Sequence, residues 1–167
     1  MRILITGVPG SGKTTLAQKA AKHYGLEWWN EKEFALKNSM GFLNEENELE
    51  IPVKEFQSRA NAYLKKHKKV LLEGHTLCEM KLAVDCVVLL KIDPDVLASR
   101  LSRRSYSDEK ILDNVFCEKI EYCKKNLAKN YPKEMIIEVE SLKTPKETFQ
   151  KLLTKMKKLG IIKTLPL

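Results

Sequence analysis

The sequence predicts an α/β fold in which a five-stranded parallel sheet is covered by helices on both faces. Three observations predict it. Short apolar runs alternate with amphipathic helical stretches along the chain, the pattern of a parallel sheet built from crossover units. A loop of the form G-x-x-x-x-G-K-[ST] stands at the first strand-to-helix junction. The length, 167 residues, is that of one domain. The chain is therefore read as one domain over residues 1–167. At that size about 68–70 % of the unfolded chain's surface can be buried without disulfide or metal staples.

The elements follow in order. Residues 2–6 are a short apolar run ending at Gly7. After the glycine loop, Ala17, Ala20, Ala21 and Tyr24 recur at the spacing of one helix face, and Gly25 closes the helix. Residues 26–29 read as a second strand, 31–38 as a helix and 41–50 as an acidic loop. Val53, Phe56, Ala60 and Leu64 share the inner face of the next helix, which ends in the basic cluster 65–69, where cations meet the negative end of the helix dipole. Residues 70–73 form the third strand and 86–92 the fourth. Asp93-Pro94-Asp95 then supplies an N-cap and a proline at the first helical position, for a helix through Arg100. Ser107 caps a longer helix to about Lys129, with Leu112, Phe116, Ile120, Cys123 and Leu127 as its apolar face. Residues 135–139 form the fifth strand. Thr144-Pro145-Lys146-Glu147 is a capping box opening a helix with Phe149, Leu152, Leu153 and Met156 inward. Trp28, Trp29 and Phe34 fit the core better than a base-stacking platform. Strand order does not follow from this pattern.

The glycine loop, Gly7-Val8-Pro9-Gly10-Ser11-Gly12-Lys13-Thr14, carries the clearest chemistry. Its glycines permit backbone conformations that aim successive N–H groups inward, and the helix N-terminus adds positive potential, so phosphate oxygens meet a shaped anion nest. In such a loop Lys13 reaches the β- and γ-phosphates, Thr14 the Mg²⁺ and Thr15 the α-phosphate. Val70-Leu71-Leu72-Glu73 puts a carboxylate at the carboxyl end of a buried strand, the edge where open α/β sheets bind ligands. Glu73 there can hold Mg²⁺ through its water shell. His75 can orient a water or contact phosphate, or be a plain core or surface histidine; His23 and His67 sit in charged helical contexts and read as solvated. Arg100, Arg103 and Arg104 place three guanidiniums at a helix end and turn, where a mobile lid can bring fixed donors to a transferring phosphoryl group.

Charge and cysteine usage narrow the class. Charged residues make up 31 % of the chain and leave a net +8. The surplus is uneven: residues 1–26 carry +4, 27–56 carry −5, 57–118 carry +2 and 119–167 carry +7. No apolar run approaches the ~18 residues of a membrane span, and no secretory leader pattern opens the chain. Cys78, Cys86, Cys117 and Cys123 show no metal-ligand spacing and read as reduced thiols. These features point to a cytoplasmic protein with an anionic ligand and no membrane partner.

The glycine loop, Glu73-Gly74-His75 and the segment Arg100-Leu101-x-x-Arg104-x-Tyr106-Ser107-x-x-Lys110-Ile111-x-x-Asn114 together resemble the adenylate kinase isoenzyme six (CINAP) family, from Met1 to about Glu140. The resemblance implies a three-layer P-loop kinase with a monophosphate-binding segment at about residues 30–53 and a short lid at about 103–113. It implies ATP and Mg²⁺ as cofactors, the reaction ATP + AMP ⇌ 2 ADP with other monophosphates accepted, and slow ATP hydrolysis. It carries ATP binding onto Gly10, Ser11, Gly12, Lys13, Thr14, Thr15, Arg100 and Arg104, and metal binding onto Thr14 and Glu73. Catalysis falls to Lys13, His75 and Arg104, and monophosphate binding to Asn30, Glu33 and Lys37. Glu73 stands where the family has Asp, and Leu36, beside Lys37, where some eukaryotic members have Arg.

The family is also tied to small-ribosomal-subunit assembly. A second reading is therefore an ATPase assembly factor gating a ribosomal protein and pre-rRNA; the lysines of residues 119–167, Lys151, Lys155, Lys157 and Lys158 among them, would supply its RNA contacts or simply form a solvated face. A third reading is a small P-loop kinase acting on a sugar or shikimate-like acceptor.

Overall fold

The computed structural model describes residues 1–45 and 49–160. The middle of the expected acidic loop, residues 46–48, and residues 161–167 of the basic C-terminal segment lie outside the described residues.

Strand β1 (Arg2–Thr6) shows the alternation that a sheet buried on both faces requires: Leu4 turns into one core, Ile3 and Ile5 into the other. The chain continues through α1 (Lys13–Tyr24), β2 (Glu27–Asn30) and α2 (Glu31–Lys37). Two-residue strands β3 (Phe42–Leu43) and β4 (Leu49–Glu50) then pair antiparallel, so the expected acidic loop is flanked by a small hairpin. Next come α3 (Val53–Lys66), β5 (Val70–Glu73), a 3-10 turn at Thr76–Glu79, β6 (Cys86–Lys91) and α4 (Pro94–Ser102). The last elements are α5 (Asp108–Lys119), α6 (Tyr122–Asn130), β7 (Ile136–Glu140) and α7 (Pro145–Lys158).

The five longer strands form one parallel sheet in the order β2-β5-β1-β6-β7. Phe34, Phe56, Leu64, Leu97, Leu101 and Leu127, from α2, α3, α4 and α6, cover one face; Leu16, Ala17, Leu152 and Met156, from α1 and α7, cover the other. Because β5 and β6 flank β1 on opposite sides, the connections diverge at the carboxyl end of β1, and a crevice opens there. The register sets Asn30 level with Glu73, and Glu73 level with Ile5, at the mouth of that crevice.

The caps fall where the sequence places them. Asp93 Oδ1 accepts from the amides of Asp95 and Val96, at 2.9 and 3.1 Å. Thr144 and Glu147 form a reciprocal capping box. In α7, Leu152 and Met156 are buried and Phe149 packs on the core, while Leu153 is only half-buried. Phe34 is buried, and both tryptophans pack against the core, Trp29 edge-on to Phe34 at 6.0 Å.

One long helix is corrected. The stretch expected to run from Ser107 to about Lys129 breaks at Glu121, which adopts φ 55°. Contacts to the end of β6 hold the break: Glu118 Oε1 accepts from the Ile92 amide at 3.1 Å, and Glu121 Oε1 accepts from Lys91 Nζ at 3.0 Å. The apolar face is corrected with it. Ile111, Val115 and Cys117 pack on the core from α5, whereas Leu112 and Phe116 stand outward, 68 % and 61 % exposed. After the break, Cys123 and Leu127 are buried as expected. Among the described residues no helix is long and apolar enough to cross a membrane.

Candidate active site

The glycine loop joins β1 to α1 at the crevice. Gly10 and Gly12 hold φ of 87° and 99°, a region that disfavours any side chain, and a Cβ on Gly10 would stand 2.7 Å from Leu101 Cδ2. Lys13 folds back over the loop, its Nζ donating to the Val8 carbonyl at 3.0 Å. Burial pulls the Lys13 pKa down, opposed by the charges of Glu31 and Glu73. An ammonium so placed lacks a full set of partners, and an anionic ligand in the loop would supply them.

Glu73 is 1 % exposed. Its Oε1 accepts from Thr14 Oγ1 at 3.0 Å and from Asn30 Nδ2 at 2.7 Å. Its Oε2 is buried with no hydrogen-bond partner. A buried carboxylate oxygen left unpaired is costly, and a cation or its water shell would satisfy it. With the Thr14 hydroxyl beside it, this oxygen donor set fits Mg²⁺.

His75 caps the same edge. Its Nδ1 lies 3.2 Å from the Gly7 carbonyl, so the proton belongs on Nδ1, and 3.7 Å from Cys123 Sγ. Burial lowers the imidazole pKa, but the Cys123 thiol and its charge outweigh this, and the net shift is upward. Cys123 and Cys78 are neighbouring buried thiols. Cys123, hydrogen-bonded by Cys78 and facing His75 and Lys13, is the one that ionises more easily. Among the described residues all four cysteines are free of disulfides.

Beneath His75 lies a carboxylate that the sequence reading passed over. Glu31, at the start of α2, is 7 % exposed; its Oε1 accepts from the His75 amide and its Oε2 from the Thr76 amide, each at 3.0 Å. Burial raises its pKa, against the pull of Lys13. Its only sequence signal is an acid directly after the strand-end Asn30, with a glycine beside Glu73.

These groups line a cleft of about 850 Å³ whose outer wall is the segment containing Tyr106, Lys110, Asp113 and Asn114. A second pocket, of about 270 Å³, opens on the other side of the loop between Gly12, Thr15, Arg104 and the Ser141-Leu142 turn after β7. All but two of the expected site residues divide between the two. Gly10, Lys13, Thr14, Asn30, Glu73 and His75 line the cleft; Ser11, Gly12, Thr15, Arg100 and Arg104 line the pocket. Arg100 is engaged already, donating to Ser141 Oγ at 3.0 Å and to the Ser11 carbonyl at 3.3 Å, so it clamps the loop to the β7 turn. Glu33 and Lys37 line neither space: both are exposed, and Lys37 Nζ sits 4.4 Å over the Trp29 ring. Lys32 lines the cleft instead. The Ser141-Leu142 wall carries no motif, and only its place at the carboxyl edge of the sheet marks it.

Comparison with known proteins bears on the family and the fold. The family model AAA_18, an AAA domain, matches residues 3–121. A "Putative adenylate kinase" of Thermococcus kodakarensis is 36 % identical over 155 residues, 92 % of this chain and 84 % of that protein. An "Adenylate kinase isoenzyme 6 homolog" of Plasmodium falciparum is 32 % identical over 160 residues, 81 % of this chain and 83 % of that protein. Among solved structures, shikimate kinase from Aquifex aeolicus superimposes with a TM-score of 0.63 at 18 % identity, covering 96 % of this chain and 99 % of that one. Deoxyadenosine kinase from M. mycoides, with bound dATP, gives 0.59 at 17 % identity, covering 94 % and 100 %. These two structural likenesses are of fold alone.

Proposed function

The chain belongs to the family of P-loop proteins that includes the adenylate kinase isoenzyme 6 homologue, and from that premise we propose that it is a Mg²⁺-dependent nucleoside monophosphate kinase, transferring the γ-phosphoryl group of ATP to AMP or a related monophosphate. The observation that carries this reading is the position of the phosphate loop between two spaces. The pocket beside Thr15 and Arg104 suits the donor nucleotide, and the cleft beside Asn30, Lys32 and His75 suits the acceptor.

In this reading catalysis is positioning and electrostatics, with no covalent intermediate on the protein. The loop amides and Lys13 bind the β- and γ-phosphates. Thr14 and Glu73 would hold Mg²⁺, Glu73 through the water shell, and the ion would supply positive charge to neutralise the phosphates. The lid, residues 103–113, closes over the cleft, bringing Arg104 to the phosphates and excluding water. His75 orients a water or the acceptor phosphate, and with the lid open it would support slow ATP hydrolysis. The acceptor contacts go to Asn30 and Lys32, since Glu33 and Lys37 face away. The whole of residues 1–167 acts as one domain in the cytoplasm.

The assembly-factor reading draws less support from the structure. Lys151 pairs with Glu140 at 2.7 Å, and Lys155 donates to the Glu138 carbonyl. That leaves Lys146, Lys157 and Lys158 exposed on α7 for an RNA backbone.

The test is a screen of Mg-ATP consumption against nucleoside monophosphates, gluconate and shikimate, with ADP quantified. Stoichiometric ADP formation with a monophosphate supports the reading. Turnover only with a non-nucleotide hydroxyl acceptor, or only hydrolysis, replaces it with one of the rivals.

A further inference from the structure

Gly74 and Glu31 fit together in a way that neither the glycine loop nor the metal carboxylate requires. Gly74 follows Glu73 at the exit of β5, with ordinary negative φ, so backbone strain does not demand a glycine there. Space does. A Cβ built on Gly74 would stand 2.1 Å from Glu31 Oε2 and 2.3 Å from its carboxyl carbon. The missing side chain is the room into which the Glu31 carboxylate inserts. From there its two oxygens take the two successive amides of His75 and Thr76, each at 3.0 Å.

A two-point attachment to consecutive amides fixes the backbone from which the His75 side chain leaves. On the far side, His75 Nδ1 bonds the Gly7 carbonyl at 3.2 Å, tying the imidazole to the phosphate loop. Glu31 thus grips the backbone of the residue whose ring touches the loop, while Asn30, its neighbour, grips Glu73 at 2.7 Å. One turn of chain at the β2-to-α2 junction therefore holds both the metal carboxylate and the histidine.

We propose that Glu31 is a positioning residue, which sets the His75 imidazole against the phosphate loop by binding the His75 and Thr76 amides in the space Gly74 leaves free. The proposal rests on the kinase reading for the role of His75, though not for the placement of its ring. In Glu31→Gln the side chain keeps its shape, but its NH₂ group must face one of two N–H donors, so the grip becomes one-sided.

Three measurements test it. The first is turnover at saturating Mg-ATP. Glu31→Gln should lower kcat by about ten- to a hundredfold, the scale expected for a small misplacement of a reacting group, with KM for ATP little changed. Added to His75→Ala, it should cost little further. The second is the imidazole proton–nitrogen signal of His75, which Glu31→Gln should displace. The third is thermal unfolding, in which Gly74→Ala should lower Tm sharply in the native chain and much less in a Glu31→Ala background. Should Glu31→Gln fail to fold, Glu31→Asp, one methylene short of the two amides, takes its place.

Native turnover in Glu31→Gln, multiplying losses in the double variant, or an unmoved His75 signal would overturn the proposal. If the native protein transfers no phosphoryl group to any acceptor, the kinase reading fails, while the His75 signal still decides the positioning: a displaced signal upholds it and an unmoved one rejects it.

Discussion

The floor of the cleft and the segment proposed as its lid, residues 103–113, are built on opposite terms. On the floor, Glu73, Glu31 and Lys13 are 1 %, 7 % and 9 % exposed, and each is held by at least one hydrogen bond of 3.0 Å or less. On the lid, Arg103 and Arg104 are exposed, and among the described residues no polar partner holds either side chain. Ser105 sits at φ 58° in the turn between them and α5, and Tyr106, Leu112 and Phe116 show apolar surface to solvent. The floor is organised before any ligand arrives, whereas the arginines of the proposed lid would take their partner from the ligand's charge. Pre-set dipoles spend no energy reorganising during reaction, and a lid that must move has to be weakly held.

The largest effect should come from breaking the floor. Lys13→Ala removes the ammonium that folds over the phosphate loop and should cut ADP formation by about 10³-fold, with the circular dichroism of the folded protein unchanged. Retained turnover in the folded variant would break the comparison at its strongest point. Arg104→Ala comes next. Because the Arg104 side chain has no polar partner among the described residues, its removal should leave Tm unchanged and lower kcat by about 10²-fold, more than it raises KM for the acceptor. A Tm loss in that variant would mean that the arginine is part of the folded scaffold and that the lid is not free.

Much of the floor was legible in the sequence because its signals are local. The glycine loop names its own conformation, and the Glu73 position follows from a buried strand ending at the sheet's carboxyl edge. Glu31 was not legible. Its role depends on Gly74, 43 residues away, which comes beside it only when β2 pairs with β5 in register. Glu33 and Lys37 show the converse: they share the helix with Glu31, yet a helix turns its residues about 100° apart, and theirs face solvent. The α5–α6 break was hidden for a related reason. Glu121 has no helix-breaking chemistry of its own, and the turn is held by Lys91 and the Ile92 amide at the end of a distant strand. The periodicity of Leu112, Phe116 and Ile120 is a real helical stripe, but which stripe faces inward is decided by how α5 leaves the lid, and the core took Ile111 and Val115 instead.

The smallest effect distinguishes the regions most finely, through two helix caps of similar chemistry. Ser107 Oγ accepts from the Lys110 amide at 3.3 Å and starts α5 at the edge of the lid; Thr144 accepts from the Glu147 amide at 3.2 Å and receives its carboxylate in return, starting α7 on the far side of the sheet. Loss of such a cap costs about 1 kcal/mol, or about 2–4 °C of Tm in a protein of this size. Thr144→Ala removes the hydroxyl that caps the Glu147 amide, leaving only the backbone amide on the Glu147 carboxylate, and α7 packs on the core through Leu152 and Met156, so it should show the full Tm loss with native kcat. Ser107→Ala should show the reverse. α5 has no fully buried residue, so fraying its first turn should hardly move global Tm, yet it frees the wall carrying Glu109, Lys110 and Asp113 and should change kcat or KM about twofold. If instead Ser107→Ala lowers Tm as much as Thr144→Ala and leaves both kinetic constants alone, the lid is as much scaffold as α7, and closure must be sought in another segment.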